Sequence, residues 1–197
     1  MGLMFGYQAG QTPLDPEQIS GLKIKTIATQ QQLNEFEQAN INEALIWLTS
    51  KRKIKNLLSE KFIIQVHQRM FGLVWNWAGQ FRRTETNLGV DWTKISVKLK
   101  QLVDDANFWV TYKTYLPEEI AIRFKHRLVS IHCFPNGNGR HSRLMADLII
   151  QHLFGSAKFS WGQSSLVEPS AQRTVYLKAL KLADKGDFSE LMKFARS

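Results

Sequence analysis

The chain carries a single cysteine, Cys133, in 197 residues. A lone cysteine excludes an internal disulfide framework and fits a reducing compartment. No apolar run approaches the roughly 18 residues that a membrane-spanning helix needs. Residues 1–10 lack the charged-then-apolar pattern of a secretory leader. These absences lead to the expectation of a soluble, cytoplasmic protein. Zinc-ligand spacing is missing too: His126 and His132 stand six apart, not as a helical ligand pair. Acidic residues are scarce, 17 against 26 Lys plus Arg, for a formal net charge of +9. The excess gathers at Lys51, Arg52, Lys53, Lys55 and Lys61, and again at Arg123, Lys125, His126 and Arg127. Such a balance attracts a nucleotide, an acidic protein surface or nucleic acid, and suits a solubilising face equally well. With no zinc finger or basic zipper in the chain, a nucleic-acid partner is the minor reading.

Strand signals are also few. Residues 1–28 have little periodicity, hold Pro13, Pro16 and several glycines, and read as an arm or loop. From residue 29 onward the pattern is helical and reads as one domain, 29–197. A stripe of Leu33, Phe36, Asn40, Ala44 and Trp47 predicts a helix from Thr29 or Gln30 to Ser50. Phe62, Val66, Met70 and Leu73 predict another over 59–74, capped by Ser59. Ile95, Leu99, Leu102, Ala106 and Trp109 predict a third. Pro117-Glu118-Glu119 opens a fourth, with proline and acids in its first turn, and delivers His132 at its end. Helices over 140–154, ended by Gly155, over 171–183 and over 187–196 complete an all-α bundle. Only 80–90 looks strand-like, as a small β-hairpin.

The most informative stretch is His132-Cys133-Phe134-Pro135-Asn136-Gly137-Asn138-Gly139-Arg140-His141-Ser142-Arg143. A helix that starts after Gly-Asn-Gly presents unpaired amides and a positive dipole end, which is an anion site. Gly137 and Gly139 let the backbone approach a phosphate closely. Arg140 and Arg143 lie three apart on one helix face. His132 titrates near neutral pH and is the general-base candidate. His67, His126, His141 and His152 read as structural or solvent-facing. Cys133 reads as a packing residue, because no base is set to activate it.

The seven positions His132, Phe134, Gly137, Asn138, Gly139, Arg140 and Arg143 resemble the signature of the Fic (Fido) family. Trp77-Ala78-Gly79-Gln80-Phe81-Arg82 resembles that family's entry into its flap hairpin. The chain as a whole is similar to the Fic subfamily called mobile mystery protein B. The resemblance implies transfer of AMP from Mg-ATP to a Tyr, Thr or Ser hydroxyl of a target protein. It implies His132 as base and Phe134 as an anchor tucked into the core. Gly137, Asn138, Gly139 and Arg140 would hold phosphates, and Arg143 would reach the γ-phosphate. The flap, with Gln80, Phe81, Arg82, Asn87, Leu88 and Gly89, would align an extended target segment. Asn136 departs from the family, which usually has Asp or Glu there for Mg²⁺; a neutral carbonyl oxygen is a weaker ligand. Many relatives carry an inhibitory helix whose glutamate pairs with the second arginine. The nearest candidate here is Glu37, expected to face Arg143. Two other readings fit the same residues: another phosphate-group transfer or AMP removal on this scaffold, or a non-catalytic nucleotide-binding module with a regulatory partner.

Overall fold

The structure is a computed structural model that describes residues 16–51, 54–162 and 169–197. Residues 1–15, most of the expected arm, lie outside it, as do Arg52 and Lys53 of the basic cluster. Eight α-helices are found among the described residues: α1 (Pro16–Ser20), α2 (Gln30–Thr49), α3 (Glu60–Phe71), α4 (Ile95–Tyr112), α5 (Pro117–Ile131), α6 (Asn138–Phe154), α7 (Pro169–Ala183) and α8 (Ser189–Arg196). A 3₁₀ turn, Trp92–Lys94, leads into α4.

The ends follow local chemistry. Thr29 caps α2 in a capping box with Gln32. Ser59 accepts the Phe62 N–H at the start of α3. Gly155 ends α6 in the left-handed conformation. The helices pack as pairs, α2 on α3, α5 on α6 and α7 on α8, with α4 against α5 and α3 against α6. The core is continuous and runs from Leu33 and Ala44 through Ile63, Leu99 and Phe124 to Ile149 and Leu191.

Four expectations are corrected. The arm is not wholly extended, since Pro16–Ser20 is helical. Beyond it Leu22 and Ile27 are buried in the core, and Lys23 N–H donates to Val74 O at 2.8 Å. The stripe of α2 is rotated: Leu33, Asn40 and Ala44 are buried as expected, but Phe36 is 43% exposed, while Glu37, Ile41 and Leu48 are buried. Leu73 is 63% exposed, because α3 stops at Phe71.

The fourth correction concerns the hairpin. Residues 80–90 contain no strand, and the one β-bridge among the described residues pairs Leu22 with Trp75. The backbone of 80–90 is engaged elsewhere. Arg82 N–H donates to Cys133 O at 3.0 Å, and Val90 N–H to Ile131 O at 3.4 Å. The Thr84 and Val90 carbonyls accept from the Arg82 guanidinium. Groups that would form a hairpin ladder are used to lay this loop on the end of α5.

Candidate functional site

Helix α5 ends at Ile131, and His132 follows as its C-cap with φ 56°. Histidine tolerates this left-handed region better than most residues. The turn reverses the chain, and 133–137 leads straight into α6. Phe134 is fully buried and stacks on His67 with ring centroids 3.7 Å apart. It is the anchor expected from the sequence. Cys133 is buried, and burial pushes its thiol up to about 12, so it is a packing residue and not a nucleophile.

The loop is stapled from inside. Asn138 Oδ1 accepts the Phe134 N–H at 3.0 Å, and its Nδ2 donates to Phe134 O at 2.7 Å. This side chain therefore shapes the loop rather than reaching outward. His67, on α3, supplies a second staple. Its Nδ1 accepts the Gly79 N–H at 3.0 Å. The neutral ring then has its proton on Nε2, which donates to Asn136 O at 3.0 Å. Sequence reasoning placed His67 among structural residues but did not connect it to this loop. The two are 69 positions apart, and no local pattern links them.

Helix α6 begins with Gly137 as N-cap, φ 80°, and no side chain caps its first turn. The first-turn amides have no intrahelical acceptor and face a positive dipole end. A Cβ on Gly137 would stand 2.5 Å from the Phe71 ring, whereas one on Gly139 would meet nothing within 4 Å. Gly137 is thus required by packing. Gly139 borders open space at the helix end. The Gly137 N–H is not part of this cradle, because it donates to Asn136 Oδ1 at 2.6 Å.

The two arginines differ. Arg140 Nη1 donates to Glu37 Oε2 at 2.6 Å, and the guanidinium lies over the Phe71 ring. Glu37 is only 5% exposed, and its Oε1 accepts the Trp75 Nε1–H at 2.7 Å. The expectation that Glu37 faces Arg143 is corrected: it meets Arg140, the arginine of the first turn. Arg143, one turn further, lies over the Tyr176 ring near buried Lys125. Of the other expected flap residues, Phe81 and Gly89 lie against the loop. Phe81 packs 5.9 Å from Phe134, and the side chains of Gln80, Asn87 and Leu88 are exposed. Gly89 lies directly against His132.

The base candidate is kept neutral. His132 is 6% exposed, and burial, helped by the Arg82 charge, lowers it to about 4, while the Val129 carbonyl works in the opposite sense. A neutral ring at pH 7 can accept a proton. Burial also lowers His141 to about 4, and His67 well below its ordinary value. This has a consequence for stability. The unfolded histidines bind protons near pH 6.5, folded His132 and His141 only near 4 and folded His67 well below its ordinary value, so stability must fall as pH drops through that window. Each contributes up to about 1.4 kcal/mol per pH unit. Asp147, pushed up to about 6 by burial, opposes this below pH 6, but it is one group against three. The melting temperature is expected to be flat above pH 7 and to fall steeply from 6.5 to 4.5. A flat profile across that range would show that these rings are not buried neutral.

Comparison with known proteins agrees with this geometry. The profile of the Fic/DOC family matches residues 57–150, from the end of the α2–α3 connection through the loop and most of α6. The protein adenylyltransferase Fic of Drosophila grimshawi is 30% identical over 138 residues, which is 68% of this chain and 27% of that protein. The Drosophila melanogaster protein of the same name is 30% identical over the same length. The chain therefore spans about a quarter of these relatives (27% and 26%). Among solved structures, Fic-1 from C. elegans superposes with a TM-score of 0.67 at 25% identity, covering 90% of this chain and 51% of that one. BepC from Bartonella tribocorum, with bound AMPPNP, gives 0.68 at 17% identity over 92% and 97% of the two chains, a likeness of fold alone. By its loop, its helices and these matches, the chain belongs to the Fic/DOC family.

Proposed function

We propose that this chain transfers AMP from Mg-ATP to a hydroxyl side chain of a target protein, with residues 29–197 as the catalytic unit. The observation that carries the reading is a neutral, buried His132 held next to an uncapped helix N-terminus that ends in Arg140. The acceptor oxygen attacks the α-phosphorus, its proton passes to His132, and the bond from the α-phosphorus to the bridging oxygen breaks. Pyrophosphate leaves. Catalysis here is positioning and charge stabilisation. The first-turn amides of α6 and the Arg140 fork hold the phosphates, and Arg143 serves the far end of the chain of phosphates. The 80–90 loop, pinned over His132, aligns the acceptor segment. The Drosophila relatives are named as protein adenylyltransferases. The broader similarity to the mobile mystery protein B subfamily, a reducing cytoplasmic setting and control by a partner protein belong to the same reading.

Mg²⁺ fits this site only with help from the substrate. No group of three or more His, Cys, Asp or Glu among the described residues could hold a metal ion. Asn136 Oδ1 already accepts the Gly137 N–H. The ion would be carried mainly by ATP oxygens and water, with Asn136 as a neutral ligand; bound there it would neutralise charge on the phosphates. Asn136→Asp is therefore expected to tighten Mg²⁺-dependent ATP binding, measured by calorimetry with and without Mg²⁺. Unchanged or weaker affinity would place the Asn136 side chain outside the metal site.

The test of the activity is intact-mass measurement after incubation with Mg-ATP, alone and with candidate acceptors. A gain of one adenylyl group on this chain or a partner supports the reading. A gain of phosphate instead would favour phosphate transfer on the same scaffold, and nucleotide binding without any adduct would favour a non-catalytic module.

A further inference from the structure

Arg82 is only 2% exposed, yet it carries a guanidinium. A buried fork needs acceptors for its donors, and here they come from two places at once. Its Nε–H donates to His132 O at 2.7 Å. Its Nη1 donates to Thr84 O at 2.9 Å, and its Nη2 to Val90 O. Its backbone N–H reaches Cys133 O at 3.0 Å. The nearest carboxylate, exposed Glu85, is 3.9 Å away and forms only a loose ion pair. One side chain therefore joins the carbonyl just past the end of α5 to both ends of the 82–90 loop. The fit leaves no slack. A Cβ on Gly89, φ 116°, would fall 2.6 Å from Arg82 Nη2 and 2.7 Å from His132 Cβ.

We propose that Arg82 is the positioning residue of the reaction: its fork fixes the left-handed backbone of His132 and the height of the 82–90 loop above it, so that base and loop are set together. This rests on His132 being the base. The nucleotide cradle at Gly139 and Arg140 is not among the groups Arg82 bonds, so its loss should separate chemistry from nucleotide binding. The charge has a second effect. On the His132 ring it adds to burial in disfavouring the protonated form, against the Val129 carbonyl. Loss of the fork should let the ring gain protons more easily.

Arg82→Gln, Arg82→Lys and Gly89→Ala test the idea, each checked for cooperative melting. Gln removes the charge, Lys keeps charge without the fork, and the Gly89 variant pushes on the same contact from the loop side. Displacement of a catalytic group by about 1 Å lowers rates on the order of 100-fold. Each variant is expected to lose roughly 10- to 100-fold in kcat while ATP affinity by calorimetry stays within about twofold. NMR titration of His132 should move toward its ordinary value in Arg82→Gln and less in Arg82→Lys. Folded variants with wild-type kcat would overturn the proposal, and so would kcat and ATP affinity falling in parallel. If the wild type transfers no AMP, the reading of the activity fails, but the titration still decides: an unchanged His132 in Arg82→Gln overturns the positioning role by itself.

Discussion

Replacing His132 should lower AMP transfer by about 100- to 10,000-fold, the usual contribution of a positioned general base. Alanine is not the cleanest replacement. His132 sits at φ 56°, where a Cβ-bearing residue other than Asn, Asp or His is strained by roughly 1–2 kcal/mol. An alanine could therefore shift the loop as well as remove the ring. His132→Asn tolerates the left-handed backbone and has no basic nitrogen. The two variants should fall together in kcat, with His132→Asn melting closer to the wild type. ATP affinity should hold in both, because the cradle belongs to α6. Initial labelling rates by intact mass provide the check. An Asn variant that labels as fast as the wild type would remove His132 from the role of base.

The opposite change is expected at Glu37. Its carboxylate is engaged on both oxygens, by Arg140 at 2.6 Å and Trp75 at 2.7 Å. While the ion pair stands, part of the Arg140 fork is occupied and a negative charge lies beside the proposed phosphate cradle. Incoming phosphates must displace it. Glu37→Gln keeps an oxygen for Trp75 and removes the charge, so it should free Arg140 with little change in packing. Hydrogen bonds to charged groups are worth about 1.5–3 kcal/mol, which corresponds to a rise of roughly 10- to 100-fold in labelling rate. Glu37→Gly should also activate, with an added helix cost of about 1 kcal/mol. Glu35→Gly carries the same helix cost at an exposed position bonded to Gln31, and should leave the rate unchanged. Equal rates for Glu37→Gln and wild type at matched folding would make the Glu37–Arg140 pair purely structural.

Much of this was legible in the sequence because it is local. Helix ends at Thr29, Ser59, Pro117 and Gly155 follow from residue types whose caps act within a few positions. The loop was legible because its seven characteristic positions fall within twelve residues. What escaped is long-range. The buried face of α2 contains Glu37, which a count of apolar periodicity treats as outward, beside Asn40, which the stripe included without revealing its partners. Both are buried because of partners elsewhere: Asn40 Oδ1 accepts the Leu73 N–H and its Nδ2 donates to Arg69 O, each at 2.9 Å. That pairing also explains why α3 ends before Leu73. The expected hairpin failed for a related reason. Its local pattern permits strands, but the acceptors and donors of 82–90 are taken by Arg82 and by the backbone of 131–133. The choice of Arg140 over Arg143 as the partner of Glu37 depends on how α2 sits against α6, which spacing along one chain does not encode.

In the proposed reaction the α-phosphoryl group, with its adenosine, is what moves. The most direct measurement incubates the protein, as wild type and as Glu37→Gln, with Mg-ATP labelled either at the α- or at the γ-phosphate. Label retained on protein is then counted. Retention of the α-label is expected, more in Glu37→Gln than in wild type, with the γ-label released as pyrophosphate and His132→Asn blank. Retention of the γ-label, or no retention of either label by Glu37→Gln with its acceptor present, would contradict it.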